Sequence, residues 1–215
     1  MKTVLIFSGG MDSAVLLYYL RARGDEVRAL SVDYRQRHRK ELDCASGLCA
    51  RIGVEHRVAD LSAVRQFLAG SSQTDESIEV PHGHYAAENM KLTVVPNRNM
   101  LMLAAATAWA ISVKAEAVAY GCHAGDHAIY PDCRPDFTEA IEKAMMLCHF
   151  TPIRLERPFL HMTKGQICKL GVILQVPYEL TWTCYEGKER PCGLCGACQE
   201  RMEAFQFAEV SDPLC

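Results

Sequence analysis

The sequence of 215 residues is long enough to bury one sizeable core, with a small appendage at most. Apolar residues make up 49% of it and charged residues 23%, a composition typical of a globular protein rather than of a fibrous or low-complexity chain. The formal net charge is −3, with no block of one sign. This argues against a stable nucleic-acid partner, because phosphate binding requires a basic surface.

The N-terminal apolar stretch ends at Ser8, which makes it too short for a signal core or a membrane span. Eleven cysteines without a secretion signal predict a reducing compartment, in which thiols stay free or bind metal. We therefore expect a cytoplasmic protein with no membrane partner.

Short apolar strands alternate with helices over the first 160 residues. In chain order, the pattern predicts strand 4–7, helix 12–23, strand 27–32, helix 35–51, strand 54–58, helix 98–114, strand 117–120, helix 135–148 and strand 153–155. This alternation predicts an α/β fold with a doubly wound, mostly parallel five-stranded sheet. In such a sheet, ligands bind at the carboxyl ends of the strands.

Two further stretches interrupt this alternation. Residues 70–96 are polar and weakly periodic, which indicates either an active-site flap or partial disorder. From about residue 163 the chain predicts a helix over 163–174, then a cysteine-rich segment, then a last helix near 199–207. We therefore divide the chain into a nucleotide-binding domain of residues 1–160 and a helical, cysteine-rich region of residues 161–215.

Two adjacent glycines lie between the first strand and the first helix, in the stretch FSGGMDS of residues 7–13. A strand, a glycine turn and a helix N-terminus form an anion site, because backbone N–H groups point outward and the helix dipole favours negative charge. The stretch matches neither G-x-G-x-x-G nor G-x-x-x-x-G-K-[ST], and it lacks the lysine that serves γ-phosphate chemistry. The alternative is an ordinary turn in which Asp12 or Ser13 caps the helix.

Four cysteines with the spacing C-x7-C-x2-C-x2-C predict a metal site: Cys184, Cys192, Cys195 and Cys198. Four thiolates suit tetrahedral Zn²⁺ with no open coordination position, which indicates a structural ion. An iron–sulfur cluster is the alternative. Most of the other cysteines are predicted to be small buried side chains. These are Cys44, Cys49, Cys122, Cys133, Cys148, Cys168 and Cys215.

Four histidines lie in predicted loops, at His82, His84, His123 and His127. Their spacing permits metal ligation, but such residues are more often polar loop or packing groups. We therefore expect no metal at these histidines.

The pattern S-G-G-x-D-S after a first strand resembles the PP-loop of the ATP-pyrophosphatase superfamily, whose members attack ATP at its α-phosphate. The resemblance implies that the loop holds pyrophosphate and that Asp12 helps to hold Mg²⁺. Asp33 closes the second strand, where nucleotide folds often place a group that faces ribose or base; a solvated loop acid is the alternative. With Asp33, the expected cofactor-binding residues are Phe7, Ser8, Gly9, Gly10, Met11, Asp12, Ser13 and Ala14.

Three longer motifs stand at the expected carboxyl ends of strands: VDYRQRH at 32–38, TVVPNRN at 93–99 and GCHAGDHAIYPDCR at 121–134. In TVVPNRN, Asn97 is a candidate helix cap and Arg98 a candidate phosphate ligand. Together with the glycine turn and the cysteine block, the motifs resemble the 7-cyano-7-deazaguanine synthase family along nearly the whole chain.

The resemblance to this family implies a homodimeric ATP-dependent ligase of queuosine and deazapurine biosynthesis. It would use 7-carboxy-7-deazaguanine, ammonia and ATP as small-molecule substrates, with Mg²⁺ and a structural Zn²⁺. The catalytic candidates are Asp12, Arg98, Asp126, Asp132, Arg134 and Lys164.

Two stretches depart from the family pattern near the expected substrate site. Arg35 stands where the family usually has a small residue, and Asp126-His127-Ala128-Ile129 replaces aspartate, aromatic, serine and glycine. A relative that stops at the amide, or that joins the activated deazaguanine to another amine, therefore stays open. So does a tRNA-modifying PP-loop enzyme, although the net charge argues against it. A zinc module without enzymatic activity would leave the PP-loop without a role.

Overall fold

The computed structural model describes residues 1–84 and 87–214, so Cys215 lies outside the described residues. A five-stranded sheet of order β3-β2-β1-β4-β5 forms its centre, and every neighbouring pair of strands is parallel. The predicted doubly wound parallel α/β fold is therefore confirmed. The strands are β1 (Lys2–Ile6), β2 (Glu26–Asp33), β3 (Glu55–Asp60), β4 (Ala117–Ala119) and β5 (Arg154–Glu156).

Six α-helices accompany these strands in the described part of the chain, and five of them match the predicted positions within three residues at each end. None of the described helices is long and apolar enough to cross a membrane. The helices are α1 (Met11–Ala22), α2 (Lys40–Ile52), α3 (Arg98–Ser112), α4 (Pro135–Leu147), α5 (Lys164–Ile173) and α6 (Gly196–Phe207).

Helix α2 begins at Lys40, so the prediction of a helix from Arg35 is wrong. Arg35 has a left-handed backbone, with φ 64°, which no helix continues through. The side chain of Gln36 folds back on the end of β2, where it accepts a hydrogen bond from the Tyr34 N–H at 3.1 Å and donates one to the Val32 carbonyl at 3.1 Å. Side-chain bonds thus replace the backbone bonds of a helix.

The central strand β1 is buried on both faces, which explains the continuous apolar run of residues 4–7, whereas the edge strand β3 is polar and largely exposed. Leu5 and Phe7 belong to a hydrophobic cluster with residues of α1, α2, α5 and α6. Val4 and Ile6 belong to a second cluster with residues of α3 and α4. Because α5 and α6 share the first cluster, the cysteine-rich region packs directly on the nucleotide-binding region, and the two-domain division stays a prediction.

The described part of residues 70–96 packs against the cysteine-rich region. His82 pairs with Cys195 in an antiparallel bridge, and the Gly83 N–H donates to the Leu194 carbonyl at 3.0 Å. The Arg37 N–H donates to the Gln73 carbonyl at 2.8 Å. None of the residues described between 70 and 96 is among those that line the cleft at the carboxyl ends of the strands.

Candidate functional site

A cleft opens at the carboxyl ends of β1, β2 and β4, as expected for a doubly wound sheet. The turn between β1 and α1 lines one part of it, together with Asp126 and Lys164. The starts of α2 and α3 line another part. A third wall comes from the cysteine segment, which we define as residues 181–198. The cleft therefore collects most of the motifs that the sequence singled out.

The two glycines of the turn after β1 differ in backbone conformation and in surroundings. Gly9 has φ +86°, and a Cβ there would lie 2.1 Å from the Glu41 carbonyl oxygen and 2.8 Å from the Ala45 nitrogen. Only glycine can take this position, because the turn packs against the backbone of α2. Gly10 is the N-cap residue of α1 with extended backbone, φ −75° and ψ 167°. The alternative of Asp12 or Ser13 as helix cap is therefore wrong.

The serine hydroxyls of the turn bind one another and the loop backbone. Ser8 Oγ accepts the Gly10 N–H at 3.1 Å and lies 3.2 Å from Ser13 Oγ, which donates to the Gly10 carbonyl at 3.1 Å. Among the described residues, no side chain caps α1. The first N–H groups of the helix thus face the cleft with the positive end of the dipole, as in an anion site.

Phe7, Met11 and Ala14 anchor this turn rather than offering polar groups. Each is at most 1% exposed and belongs to the hydrophobic cluster of β1 and α1. If these three residues contribute to nucleotide binding, as expected, they do so through their backbone groups and by packing the turn in place.

A buried ion cluster lies beside the turn. Lys164 Nζ is 3.1 Å from Asp12 Oδ2 and 2.7 Å from Glu200 Oε2, and the lysine side chain is 8% exposed. Lys164 takes the first position of α5 because the preceding Thr163 caps that helix, in a capping box with Gln166. A buried ammonium at this end of a helix is opposed by the dipole, so it depends on the two carboxylates.

His123 joins the same cluster from the loop after β4. Its Nδ1 accepts the Gly125 N–H at 3.1 Å, so Nε2 carries the ring proton of the neutral form. Nε2 lies 3.6 Å from Asp126 Oδ1 and 3.8 Å from Asp12 Oδ2. The Asp126 carboxylate also accepts a hydrogen bond from the backbone N–H of His123 at 3.3 Å. The structure thus brings together three of the predicted residues, Asp12, Asp126 and Lys164.

The cluster keeps Asp12 and Lys164 ionised. Burial raises the pKa of Asp12, but Lys164 and His123 more than offset it, so the pKa lies below its ordinary value. Burial lowers the pKa of Lys164, but Asp12 and Glu200 bring it above its ordinary value. Burial also raises the pKa of Glu200, which Lys164 offsets only in part.

Two members of the cluster, Glu200 and His123, are not among the catalytic residues that the sequence predicts. Glu200 lies two residues after Cys198, on the face of α6 that is buried with Ala197, Arg201 and Ala204. A carboxylate on the buried face of a helix is a signal that could have found it. His123 was predicted to lie in a loop, and the spacing of the histidines does not predict the hydrogen bond from the Gly125 N–H that orients its ring.

Arg98 lines the cleft at the start of α3, with its guanidinium 5.6 Å from the Tyr130 ring centroid. Asn97 is the N-cap residue of α3, as predicted, but its backbone is left-handed and its side chain makes no capping bond. The bond comes instead from Asp132, whose Oδ2 accepts the Asn99 N–H at 3.0 Å. Asp132 therefore stabilises the helix that carries Arg98, and it is outside the residues that line the cleft.

Arg134 and Asp33 also lie outside the cleft lining. Arg134 is exposed, and its Nε donates to the His127 carbonyl at 2.8 Å. The Asp33 carboxylate accepts the Arg35 N–H at 2.8 Å and pairs with Arg39 at 2.7 Å. Asp33 therefore holds the turn after β2, and its expected contact with ribose or base stays a prediction.

The four predicted metal ligands meet at one point. The sulfur atoms of Cys184, Cys192, Cys195 and Cys198 all lie within 4.8 Å of one another. The Cys192 and Cys198 sulfurs are 3.9 Å apart, and zinc with bonds of about 2.3 Å separates tetrahedral sulfurs by about 3.8 Å. Backbone N–H groups of Leu194 and Cys195 donate to Cys192 Sγ at 3.4 and 3.3 Å. The donor set therefore fits one zinc ion.

The cysteine segment is also a wall of the cleft. The Trp182 N–H donates to the Gly9 carbonyl at 3.0 Å, and Trp182 Nε1 donates to the Cys184 carbonyl at 3.0 Å. Lys40 Nζ lies 4.0 Å from the centre of the Trp182 ring. Trp182 thus connects the four-cysteine cluster to the glycine turn.

Comparison with known proteins gives a match over nearly the whole chain. The sequence profile of the family described as queuosine biosynthesis protein QueC matches residues 2–209. The 7-cyano-7-deazaguanine synthase of Hahella chejuensis is 53% identical over 99% of this chain and 92% of that protein. The enzyme of the same name from Methanoregula boonei is 52% identical over 100% of this chain and 98% of that protein.

A solved structure shares the fold at low sequence identity. The NMN synthetase of Francisella tularensis superposes with a TM-score of 0.54 and 17% identity, covering 98% of this chain and 78% of that chain. At this identity the likeness shows the fold alone.

Proposed function

The chain belongs to the QueC family of queuosine biosynthesis, and we propose that it converts 7-carboxy-7-deazaguanine and ammonia to 7-cyano-7-deazaguanine with ATP. Relatives with about half of their residues identical, over nearly their full length, are 7-cyano-7-deazaguanine synthases. An ATP-dependent enzyme acting on small molecules follows from the family. The residue roles below are our proposal.

The observation that carries the proposal is the uncapped N-terminus of α1 beside the Asp12–Lys164 ion pair. The helix N–H groups and the hydroxyls of Ser8 and Ser13 would bind the pyrophosphate part of ATP. Lys164 would hold the Asp12 carboxylate in a fixed position beside this site. The turn lacks the lysine of γ-phosphate chemistry, which supports cleavage at the α-phosphate instead.

The first step activates a carboxylate, which by itself resists nucleophiles and has a poor leaving group. A carboxylate oxygen attacks the α-phosphorus, the bond from the α-phosphorus to the pyrophosphate oxygen breaks, and an acyl-adenylate forms. Ammonia then attacks the acyl carbon, AMP leaves with the former carboxylate oxygen, and loss of one proton gives the amide. Positioning and charge neutralisation carry these steps.

A second activation removes the remaining oxygen. The amide oxygen attacks the α-phosphorus of another ATP and expels pyrophosphate. The nitrogen then loses its protons while the carbon–oxygen bond breaks, so that AMP leaves and the nitrile remains. Both activations place the same charge at the same atoms, so one pyrophosphate site serves both.

One carboxylate oxygen of Asp12 is available to bind Mg²⁺. Its Oδ2 pairs with Lys164, whereas Oδ1 is buried and has no hydrogen-bond partner among the described residues. A buried carboxylate oxygen without a donor is costly, and oxygen ligands are those that Mg²⁺ prefers. When bound, Mg²⁺ would neutralise phosphate charge.

We propose that the four cysteines hold a structural Zn²⁺. The short sulfur–sulfur distances support a single ion rather than an iron–sulfur cluster, whose iron and sulfide atoms lie between the cysteine sulfurs and hold them farther apart. The homodimer implied by the resemblance stays a prediction, which light scattering in solution would test.

Mass spectrometry of the product tests the proposed function. The chain is incubated with ATP, Mg²⁺, ammonium and 7-carboxy-7-deazaguanine, and we expect the nitrile, with AMP and pyrophosphate as the nucleotide products. The departures at Arg35 and at residues 126–129 make the amide the informative alternative. Accumulation of the amide, or formation of ADP and phosphate, would contradict the proposal.

A further inference from the structure

The start of α2 places a second pair of polar side chains in the cleft, and the chemistry above gives it no role. His38 Nε2 lies 3.2 Å from Glu41 Oε1, and both residues line the cleft. The side chains are 7% and 13% exposed, respectively. A histidine and a carboxylate are seldom buried together without a ligand or a structural partner.

The surrounding turn fixes this pair in place. Gln36 Nε2 donates to Glu41 Oε1 at 3.4 Å while the same side chain is bound to the end of β2. The Arg37 guanidinium donates to the carbonyls of Asp75 and Ile78 at 3.0 and 2.9 Å. A Cβ at Gly187 would lie 2.4 Å from the Arg37 carbonyl oxygen, so the cysteine segment closes on the other side. Such rigid support is typical of a recognition site.

Two acceptor atoms of the pair have no donor in the described part of the chain. Both donors that the structure gives Glu41 reach Oε1, which leaves Oε2 for a ligand. His38 Nδ1 is buried and has no hydrogen-bond partner. Because Nε2–H donates to Glu41, Nδ1 carries a lone pair. His38 Nδ1 is enclosed by the protein, so Glu41 Oε2 is the acceptor that the pair presents to a ligand with N–H donors, and His38 holds the carboxylate through Nε2.

Resting on the proposed function, we propose that Glu41, positioned by His38, determines specificity by binding the N1–H and 2-amino groups of the deazaguanine. A guanine-type ring carries these N–H donors side by side, and an ionised carboxylate is an acceptor-only partner. An adenine ring carries the N1 lone pair at the same edge, so the carboxylate repels it. The pair would thereby keep the base of ATP out of the substrate site.

The neighbouring side chains suit the rest of this substrate. The Tyr185 ring centroid is 5.6 Å from that of His38, and its hydroxyl is 3.2 Å from the Tyr130 hydroxyl. Arg98 lies over the Tyr130 ring. The rings of Tyr185 and Tyr130 thus lie between the Glu41 carboxylate and the Arg98 guanidinium. The carboxylate suits the N–H donors of the substrate, and the guanidinium suits its 7-carboxylate.

Calorimetric titration without ATP tests this assignment on the wild-type chain. The two ligands are 7-carboxy-7-deazaguanine and its analogue without the 2-amino group. We expect the amino compound to bind about 10- to 100-fold more tightly, because the analogue leaves a charged acceptor unpaired. Equal affinities would overturn the inference without any variant.

The same titrations with Glu41→Gln separate recognition from folding. We expect Glu41→Gln to lose most of the preference while binding ATP as before, and Asp43→Asn to behave like the wild type, since Asp43 is an exposed acid on the same helix. If Glu41→Gln keeps the full preference for the 2-amino compound over its analogue, the inference is overturned while the proposed function stands. A wild-type chain that neither binds nor converts 7-carboxy-7-deazaguanine overturns the proposed function, and the inference with it.

Discussion

Lys164 Nζ lies 3.1 Å from Asp12 Oδ2 and thereby joins the first residue of α5 to the second residue of α1. The ion pair connects the glycine turn to the C-terminal region, and Glu200 of α6 reinforces it at 2.7 Å. A buried pair is costly to break, because the remaining partner keeps a charge away from water. The turn and the cysteine-bearing helix therefore depend on each other.

The change Asp12→Asn removes the carboxylate without changing its shape. We expect turnover to fall by a factor on the order of 10²–10³, because the change removes a proposed ligand of the Mg²⁺ that would neutralise the reacting phosphates. The free energy of unfolding should fall by up to about 3 kcal/mol, since the buried Lys164 loses the Asp12 carboxylate. Steady-state kinetics and denaturant unfolding measure the two effects.

Asp136→Asn is the matched control for Asp12→Asn. Asp136 is also the second residue of a helix, α4, but it is exposed. This change should leave turnover unaffected and alter stability only by its helix-dipole effect of about 0.3–1 kcal/mol. Full activity in Asp12→Asn would refute the role of this carboxylate.

The change Gly9→Ala tests the close approach of the turn to α2. The new Cβ would meet the Glu41 carbonyl oxygen at 2.1 Å, so the loop or the start of α2 must move. We expect loss of ATP binding together with a large loss of stability. Gly24→Ala is the control: Gly24 has φ +89°, but a Cβ there meets nothing within 4 Å. It should cost about 1–2 kcal/mol of backbone strain and leave ATP binding intact, as titration would show.

The change Cys195→Ser should release the metal and loosen the cleft. Cys195 is fully buried and is the N-cap residue of α6, and Trp182 connects the cluster to Gly9. We expect metal analysis to give about one zinc per wild-type chain and much less in the variant, with weaker ATP binding and altered tryptophan fluorescence. Cys148→Ser, at an exposed cysteine outside the cluster, should change none of these. Iron and labile sulfide in the wild type would contradict the zinc assignment.

A hydrogen-bond chain across three strands predicts a pH effect on stability. Ser31 Oγ donates to the Phe7 carbonyl and lies 2.7 Å from His56 Nε2. Burial lowers the pKa of His56 below its ordinary 6.5, so the folded chain binds this proton less tightly than the unfolded chain. The stability it contributes is therefore present above pH 6.5 and is lost as the pH falls below it.

Thermal melting measures this pH effect. Between about pH 7.5 and about pH 5.5, the melting temperature of the wild type should fall further than that of His56→Gln. His149→Gln, at an exposed histidine, should follow the wild type. Parallel melting curves for wild type and His56→Gln would contradict the linkage.

Much of the fold was predictable because strand and helix periods differ and the central strand β1 is an unbroken apolar run. The site was predictable where backbone chemistry demands one residue type, as at Gly9, or where ligand spacing is short, as at the four cysteines. The start of α2 was missed because Gln36 and Arg35 act through side-chain and left-handed backbone geometry. Glu200 and His123 were missed because they reach Lys164 and Asp12 only through tertiary packing.

The central claim is that the substrate carboxylate attacks the α-phosphate of ATP, and an isotope experiment tests it most directly. The wild-type chain is supplied with 7-carboxy-7-deazaguanine carrying ¹⁸O at both carboxylate oxygens, and the nucleotide products are weighed by mass spectrometry. Each nitrile formed should yield two AMP molecules, each with one ¹⁸O atom, and unlabelled pyrophosphate. Label found in phosphate or pyrophosphate, or AMP without ¹⁸O, would contradict the account.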